Sequence, residues 1–118
     1  MNIELRGGLY SEEINAPEMP SDPTCCCVSM CADIGPKGSG GADVFRFTVV
    51  TPSFLALHPE TRWGTGYLLV SEFSWPTIER MVHRLVSGTN AQTWAEAAQK
   101  LCRYMDWEFD NYQSYKGP

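Results

Sequence analysis

The sequence predicts an α+β domain in which a mainly antiparallel sheet of four to five strands carries two consecutive helices on one face. Three observations lead to this expectation. Two adjacent stretches show helical periodicity, and segments rich in β-forming residues flank them. Each helical stretch has a single apolar stripe, so each helix needs an apolar surface to cover. The flanking strands can supply that surface.

The first of these helices is expected between Ser74 and Gly88. Ser74 is a favourable N-cap, and Pro76 falls in the first turn, where its missing N–H costs nothing. Gly88 is a typical residue to end a helix. The stripe that should face the sheet comprises Ile78, Met81, Val82, Leu85 and Val86.

The second helix is expected to begin at a capping box formed by Thr89 and Gln92. Its apolar stripe, which should also face the sheet, comprises Trp94, Ala95, Ala98, Leu101, Cys102 and Met105. A strand at residues 67–73, rich in β-forming side chains, leads into the helix pair. Residues 107–112 are expected to close the fold as a last strand.

Two strands are predicted in the first third of the chain. Ile3 and Leu5 alternate with polar side chains, which indicates a short edge strand. Residues 25–34 also alternate, and one side of this strand is continuously apolar, so that side should face the core. The apolar set comprises Cys26, Val28, Met30, Ala32 and Ile34. Residues 35–41 are rich in glycine and suit a hairpin with an extended loop.

The clearest strand signal covers residues 44–51, where aromatic and β-branched side chains alternate with polar ones. Thr51 and Pro52 then predict the start of a short helix, with Thr51 as its N-cap. Pro59 should end that helix, because the residue before a proline avoids the helical region.

The chain has 118 residues, the usual size of one domain, and we expect a single domain over residues 1–118. Residues 1–23 form an acidic, proline-containing segment that should wrap the surface, and residues 113–118 form a polar tail. No apolar run reaches the ~18 residues that a membrane span requires. The first residues lack the basic and apolar regions of a signal peptide, so a cytoplasmic location is expected. The residues predict no particular oligomeric state.

The net charge of the chain limits the classes of partner that it is expected to bind. Fourteen acidic residues against nine basic ones give a formal net charge of −5. Binding to nucleic acid or to an anionic membrane requires a basic patch, so neither is expected as a partner. An acidic surface favours a basic protein partner, or serves solubility alone.

Four of the five cysteines are clustered in one stretch of the chain, at Cys25, Cys26, Cys27 and Cys31. A zinc site needs four ligands, usually from two Cys or His pairs, and the sequence has no second pair. A redox Cys-x-x-Cys motif is absent as well. Cysteine is often a small buried apolar residue, so a structural role is favoured and no cofactor is expected. A small metal-binding or redox protein is the alternative.

No arrangement of residues predicts an active site. His58 and His83 have no neighbouring nucleophile and acid in the pattern of a catalytic triad. The glycine-rich loop lacks the Gly-Lys-Ser/Thr ending of a phosphate-binding loop, and no helix follows it. The sequence therefore predicts a protein that is not an enzyme.

Short motifs in both halves of the chain resemble those of the immunity protein 8 family. The front half of the pattern is carried by Ile34-Gly35-Pro36-Lys37-Gly38, Phe45-Arg46-Phe47 and Thr51-Pro52. The back half is carried by Gly66-Tyr67-Leu68-Leu69-Val70, Thr93-Trp94 and Trp107-Glu108-Phe109-Asp110-Asn111-Tyr112. The resemblance covers residues 25–112, and it rests on the order and spacing of the motifs taken together. The cysteine cluster is not part of this pattern.

The resemblance implies an immunity protein of bacterial polymorphic-toxin or contact-dependent-inhibition systems. Such a protein binds and neutralises the toxin domain encoded beside it, and so protects the producing cell. Many of these toxins act on nucleic acid and are basic, so the resemblance implies a basic toxin domain, such as a nuclease, as partner of this acidic chain. An adaptor module for another protein partner is the remaining alternative.

The predicted closing strand suggests where the toxin binds. Its carboxylates and its aromatic rings alternate, so the carboxylates should share one side and face solvent or a basic partner. This row comprises Asp106, Glu108 and Asp110, and the other candidates are Asp33, Asp43 and Trp63. Trp63 follows Arg62 in a loop, and both residue types are typical interface anchors. An ordinary solvated strand face is the alternative to a docking surface.

Overall fold

A five-stranded, mainly antiparallel sheet organises the part of the chain that the computed structural model describes, residues 1–109. The strands are β1 (Ile3–Leu5), β2 (Cys27–Pro36), β3 (Asp43–Val50), β4 (Tyr67–Leu69) and β5 (Asp106–Trp107). The helices of this region are α1 (Pro52–Leu57), α2 (Trp75–Ser87) and α3 (Trp94–Leu101). The predicted α+β fold class is confirmed.

Strands β2 and β3 form the long central hairpin of the sheet, with Cys27 opposite Val50 and Ile34 opposite Asp43. The alternation predicted for β2 is confirmed, because every second side chain from Cys26 to Ile34 is buried in the core. Their neighbours on β3 are Phe45, Phe47 and Val49, which are buried too. The hairpin requires Gly35, since a Cβ at this position would lie 2.1 Å from the carbonyl oxygen of Gly41.

The start of α1 is as predicted. The Thr51 hydroxyl accepts a hydrogen bond from the backbone N–H of Phe54 and another from that of Cys26, at 3.4 and 3.0 Å. Thr51 is fully buried, so this hydroxyl ties the end of β3 to the start of α1 and to the chain before β2. The helix ends at Leu57, immediately before His58 and Pro59.

Helix α2 begins at its predicted cap, Ser74, but its buried face differs from the predicted stripe. The buried side chains are Trp75, Ile78, Val82 and Val86. Met81 is 41% exposed and Leu85 is half-buried, so the prediction that Met81 faces the core is wrong. Burial of Trp75 explains this, because it lies on the Val82 and Val86 side of the helix and turns Met81 to the flank.

Helix α3 begins later than predicted. Its N-cap is Thr93, whose hydroxyl accepts a hydrogen bond from the N–H of Glu96 at 3.2 Å. The predicted cap, Thr89, instead donates its hydroxyl to the carbonyl of Leu85 in α2 at 2.8 Å. The side chains that face the core also differ from the predicted stripe: Ala97 is buried there and Ala95 is exposed. The other buried side chains of α3 are Ala98 and Leu101.

The two short strands β4 and β5 both pair with β3, on the edge away from β2. Strand β4 is parallel to β3 and ends at Leu69, because the chain then bends inward: the N–H of Phe73 donates to the carbonyl of Pro23. The prediction of a strand over residues 67–73 was therefore too long. Strand β5 has two residues, and residues 108–109 form a turn. Residues 110–112 of the predicted closing strand lie outside the described part of the chain.

The N-terminal segment covers the free edge of β2. After β1, Tyr10 pairs with Cys31 through two backbone hydrogen bonds, and the Ser11 hydroxyl donates to the carbonyl of Ser29 at 2.6 Å. A carboxylate oxygen of Glu13 accepts from the N–H of Ser29 at 3.3 Å. Covered edges do not recruit other strands.

Candidate protein-interaction surface

The two faces of the sheet differ in what covers them. Helices α2 and α3 pack on the face that carries Phe45 and Phe47. We call the opposite side the outer face. By the strand register, its side chains include Asp33 of β2, Arg46 of β3 and Asp106 of β5. The outer face is where a partner could contact the sheet directly.

Carboxylates are concentrated on the outer face and its rim. Glu12 lies 3.7 Å from Arg46, and Glu13 accepts a hydrogen bond from the backbone at the edge of β2. Glu60 accepts a hydrogen bond from the Tyr67 hydroxyl at 3.0 Å. The acidic residues placed there in the described chain are Glu4, Glu12, Glu13, Asp33, Glu60, Asp106 and Glu108. The basic groups found among them are Arg6, Arg46 and Arg62. This face is therefore acidic.

Asp106 and Glu108 lie at the same edge of the sheet but are held differently. Asp106 is exposed and packs beside Gly66, where a Cβ would lie 3.2 Å from its Oδ2. Gly66 has a φ of +86°, a conformation that favours glycine. Glu108 accepts from the N–H of Val44 at 2.8 Å through its side chain, and its own N–H donates to the Val44 carbonyl at 3.1 Å. Asp110 lies outside the described residues.

Asp33 is half-buried on the outer face, where its Oδ1 accepts a hydrogen bond from the Tyr10 hydroxyl at 3.0 Å. Burial, together with the neighbouring Asp33 carboxylate, raises the pKa of Tyr10 to about 12. The raised pKa means that the phenol keeps donating this hydrogen bond into the alkaline range. Asp33 contributes negative charge to the outer face while it holds the N-terminal segment in place.

Asp43 lies on the other side of the sheet and serves the fold. Its Oδ2 accepts hydrogen bonds from the indole N–H groups of Trp94 and Trp107, at 3.1 and 3.0 Å. The two rings flank Phe45, with centroids 6.1 and 6.2 Å from it. The structure does not place Asp43 with the other acidic candidates, because its carboxylate binds α3 and β5 to the start of β3.

Replacing Asp43 with alanine is expected to destabilise the domain by about 2–4 kcal/mol, because two partly buried indole donors would lose a charged acceptor. Asp43→Asn keeps one acceptor oxygen and should cost roughly half as much. Urea unfolding followed by tryptophan fluorescence measures both effects. Equal stability of the alanine variant and the parent would show that the indole bonds contribute nothing.

Trp63 is the most exposed aromatic side chain of the described residues, at 90%. It follows Arg62, whose guanidinium lies 4.7 Å from the centre of the Tyr67 ring on the outer face. The elements on either side of this loop end in exposed leucines, Leu57 of α1 and Leu69 of β4. Neither leucine was predicted from the sequence as a site residue. Leu57 could have been, because it is the last residue of the short helix that ends before Pro59.

The cysteine cluster is divided between the two faces of the sheet. Cys26 is in the core, Cys27 is half-buried, and Cys31 is buried on the outer face beneath the N-terminal segment. Burial raises the pKa of all three thiols, which disfavours the thiolate that metal binding and redox exchange require. Within residues 1–109, no group of three or more His, Cys, Asp or Glu side chains is placed to hold a metal ion. The arrangement supports a packing role.

A family model described as immunity protein 8 matches residues 9–112, which is most of the chain and includes the N-terminal segment from Leu9 onward. No curated protein and no solved structure matches the chain. In the described part of the chain, none of the helices has the length and apolar character needed to cross a bilayer.

Proposed function

Because this chain belongs to the immunity protein 8 family, we propose that it captures a basic toxin domain on the acidic outer face of its sheet. Membership of the family implies that the chain neutralises a toxin, that its partner is that toxin, and that it acts without catalysis. One observation supports this docking surface: carboxylates are concentrated on one face of the sheet, and helices cover the other face.

The proposed docking surface combines charge with an apolar anchor. Asp33, Asp106 and Glu108 supply negative charge, and Trp63 stands at the rim with its ring exposed. Charge of one sign speeds the encounter with an oppositely charged partner, and an exposed tryptophan supplies binding energy when the partner buries it.

The toxin class that fits this surface best is a nuclease. A nuclease binds a polyanion, so its substrate-binding surface is basic. An acidic protein face is complementary to that surface and can occupy it in place of nucleic acid. We propose delivery by contact-dependent inhibition or a related secretion system, and capture of the toxin in the cytoplasm.

Co-expression tests the function directly. The chain is produced together with the C-terminal toxin domain encoded beside its gene, and growth is compared with cells that carry the toxin alone. We expect full protection and a stable complex in size-exclusion chromatography, whereas a toxin domain from an unrelated system should still kill. Killing by the neighbouring toxin despite folded, soluble chain would contradict the proposal and favour an adaptor for another partner.

The cysteine variant Cys25→Ala, Cys27→Ala, Cys31→Ala separates this function from a metal-binding or redox role. Alanine suits the sites because Cys31 is buried and makes no disulfide. We expect the variant to protect cells against the toxin as the parent does, and elemental analysis of the parent to find no stoichiometric metal. Loss of protection together with loss of a bound metal would favour the rival function.

A further inference from the structure

A groove of about 560 Å³ opens between α2 and the segment that runs from α3 to β5, on the side of the sheet opposite to the outer face. Its volume lies in the range of sites that bind small ligands and short peptide segments. Apolar side chains form much of its wall: Phe47, Leu68, Met81, Val82, Leu85 and Met105. The exposure of Met81, which contradicted the predicted helix stripe, is exposure into this groove.

The charge of the groove is opposite to that of the protein. Arg84, Lys100 and Arg103 line it, which is three of the nine basic residues of the chain, and no Asp or Glu of the described residues lines it. Lys100 is engaged, since it lies 3.5 Å from Glu96 and donates to the carbonyl of Asn90. Arg84 and Arg103 are exposed and have no ion-pair partner within residues 1–109.

We propose that this groove is a second docking site, which binds an acidic peptide segment of a partner protein that carries one large apolar side chain. The apolar side chain would pack against Met81, Leu85 and Met105. Carboxylates on either side of it would bind the guanidinium groups of Arg84 and Arg103, which suit carboxylates because each can donate two parallel hydrogen bonds. Complementary charge identifies the occupant, since the groove joins an apolar wall to the guanidinium groups of Arg84 and Arg103, and no Asp or Glu of the described residues lines it.

This inference rests on the groove alone and is independent of toxin capture on the outer face. The two sites call for partners of opposite charge, so each can be lost without the other. A basic toxin surface that docks near Asp106 would find only like charge in the groove. Separate variants therefore distinguish failure of one proposal from failure of the other.

The probe is a fluorescein-labelled peptide with a central tryptophan flanked on each side by glutamates. Its binding is measured by fluorescence anisotropy, and the site of binding by ¹H–¹⁵N spectra of the ¹⁵N-labelled full chain. The groove variant is Arg84→Glu with Arg103→Glu. The matched control is Arg46→Glu with Arg62→Glu, which makes the same change of charge on the outer face. A peptide with alanine for tryptophan, a peptide with lysine for glutamate and a single-stranded oligothymidine complete the set.

We expect saturable binding of the acidic peptide, with spectral changes at Met81, Leu85 and Met105. The groove variant should weaken binding by at least about ten-fold, and the control by less than about two-fold. The alanine and lysine peptides should bind more weakly. No binding of the acidic peptide at about 1 mM, equal losses in the two variants, or tighter binding of the oligothymidine would overturn the proposal. Self-association that buries the groove in place of the peptide would overturn it as well.

Discussion

Replacing Leu101 with aspartate is expected to unfold the domain, whereas the same change at Met81 is expected to leave it folded. Leu101 is fully buried in the core, where α3 packs on the sheet. An unpaired carboxylate there costs several kcal/mol, which is the order of the whole stability of a domain, about 5–15 kcal/mol. Met81 is 41% exposed at the groove, so its carboxylate would reach water and would lie one helical turn from Arg84.

Circular dichroism and urea unfolding measure this pair of variants, which differ only in the position of the same substitution. The Met81 variant should lose less than about 1.5 kcal/mol. A Leu101 variant that melts like the parent would show that the assigned face of α3 is wrong. Unfolding of the Met81 variant would show that α2 is rotated from the orientation described.

Charge reversal on the outer face is expected to slow capture of the toxin by about ten- to a hundred-fold at low salt. The variant combines Glu12→Lys and Asp106→Lys, because both side chains are exposed and neither makes a hydrogen bond that the fold requires. Asp33 and Glu108 are left intact, since each holds a neighbouring segment through a hydrogen bond. The association rate should also become less sensitive to salt.

Stopped-flow measurements with the cognate toxin domain, over a range of salt concentrations, give both quantities. The matched control is Glu72→Lys with Glu79→Lys, which makes the same change of charge in the bend before α2 and within the helix. The control should alter the rate by less than about three-fold, since these groups lie away from the proposed surface. Capture at the parent's rate by the folded outer-face variant would remove this face as the docking surface.

Local chemistry accounts for the elements that sequence reasoning predicted well. The alternation from Cys26 to Ile34 depends only on the two-residue period of a strand, and the whole set is buried as expected. Thr51 and Ser74 cap their helices through hydrogen bonds to N–H groups three residues on. Such contacts lie within one turn of the chain, so the neighbouring residues are sufficient to predict them.

Helix rotation and strand length depended on packing between distant elements. Trp75 donates its indole N–H to the carbonyl of Glu18, and this contact with the N-terminal segment accompanies the rotation that exposes Met81. Periodicity alone could not decide which of Met81 and Trp75 is buried, because the two residues lie on opposite sides of the apolar stripe. Strand β4 is shorter than predicted for a similar reason. The backbone N–H of Phe73 donates to the carbonyl of Pro23 and not to a neighbouring strand.

The sequence by itself determined the fold class, the central hairpin, the caps of α1 and α2, and the family, because each follows from local periods, capping chemistry or motif order. Only the tertiary structure decided what the charged residues do. Asp43 binds two tryptophans that lie 51 and 64 residues away in the chain, while Asp33 and Asp106 share the outer face. Arg84 and Arg103 line the same groove in an acidic chain. A charge acts through its distance to other charges in space, and the fold sets that distance.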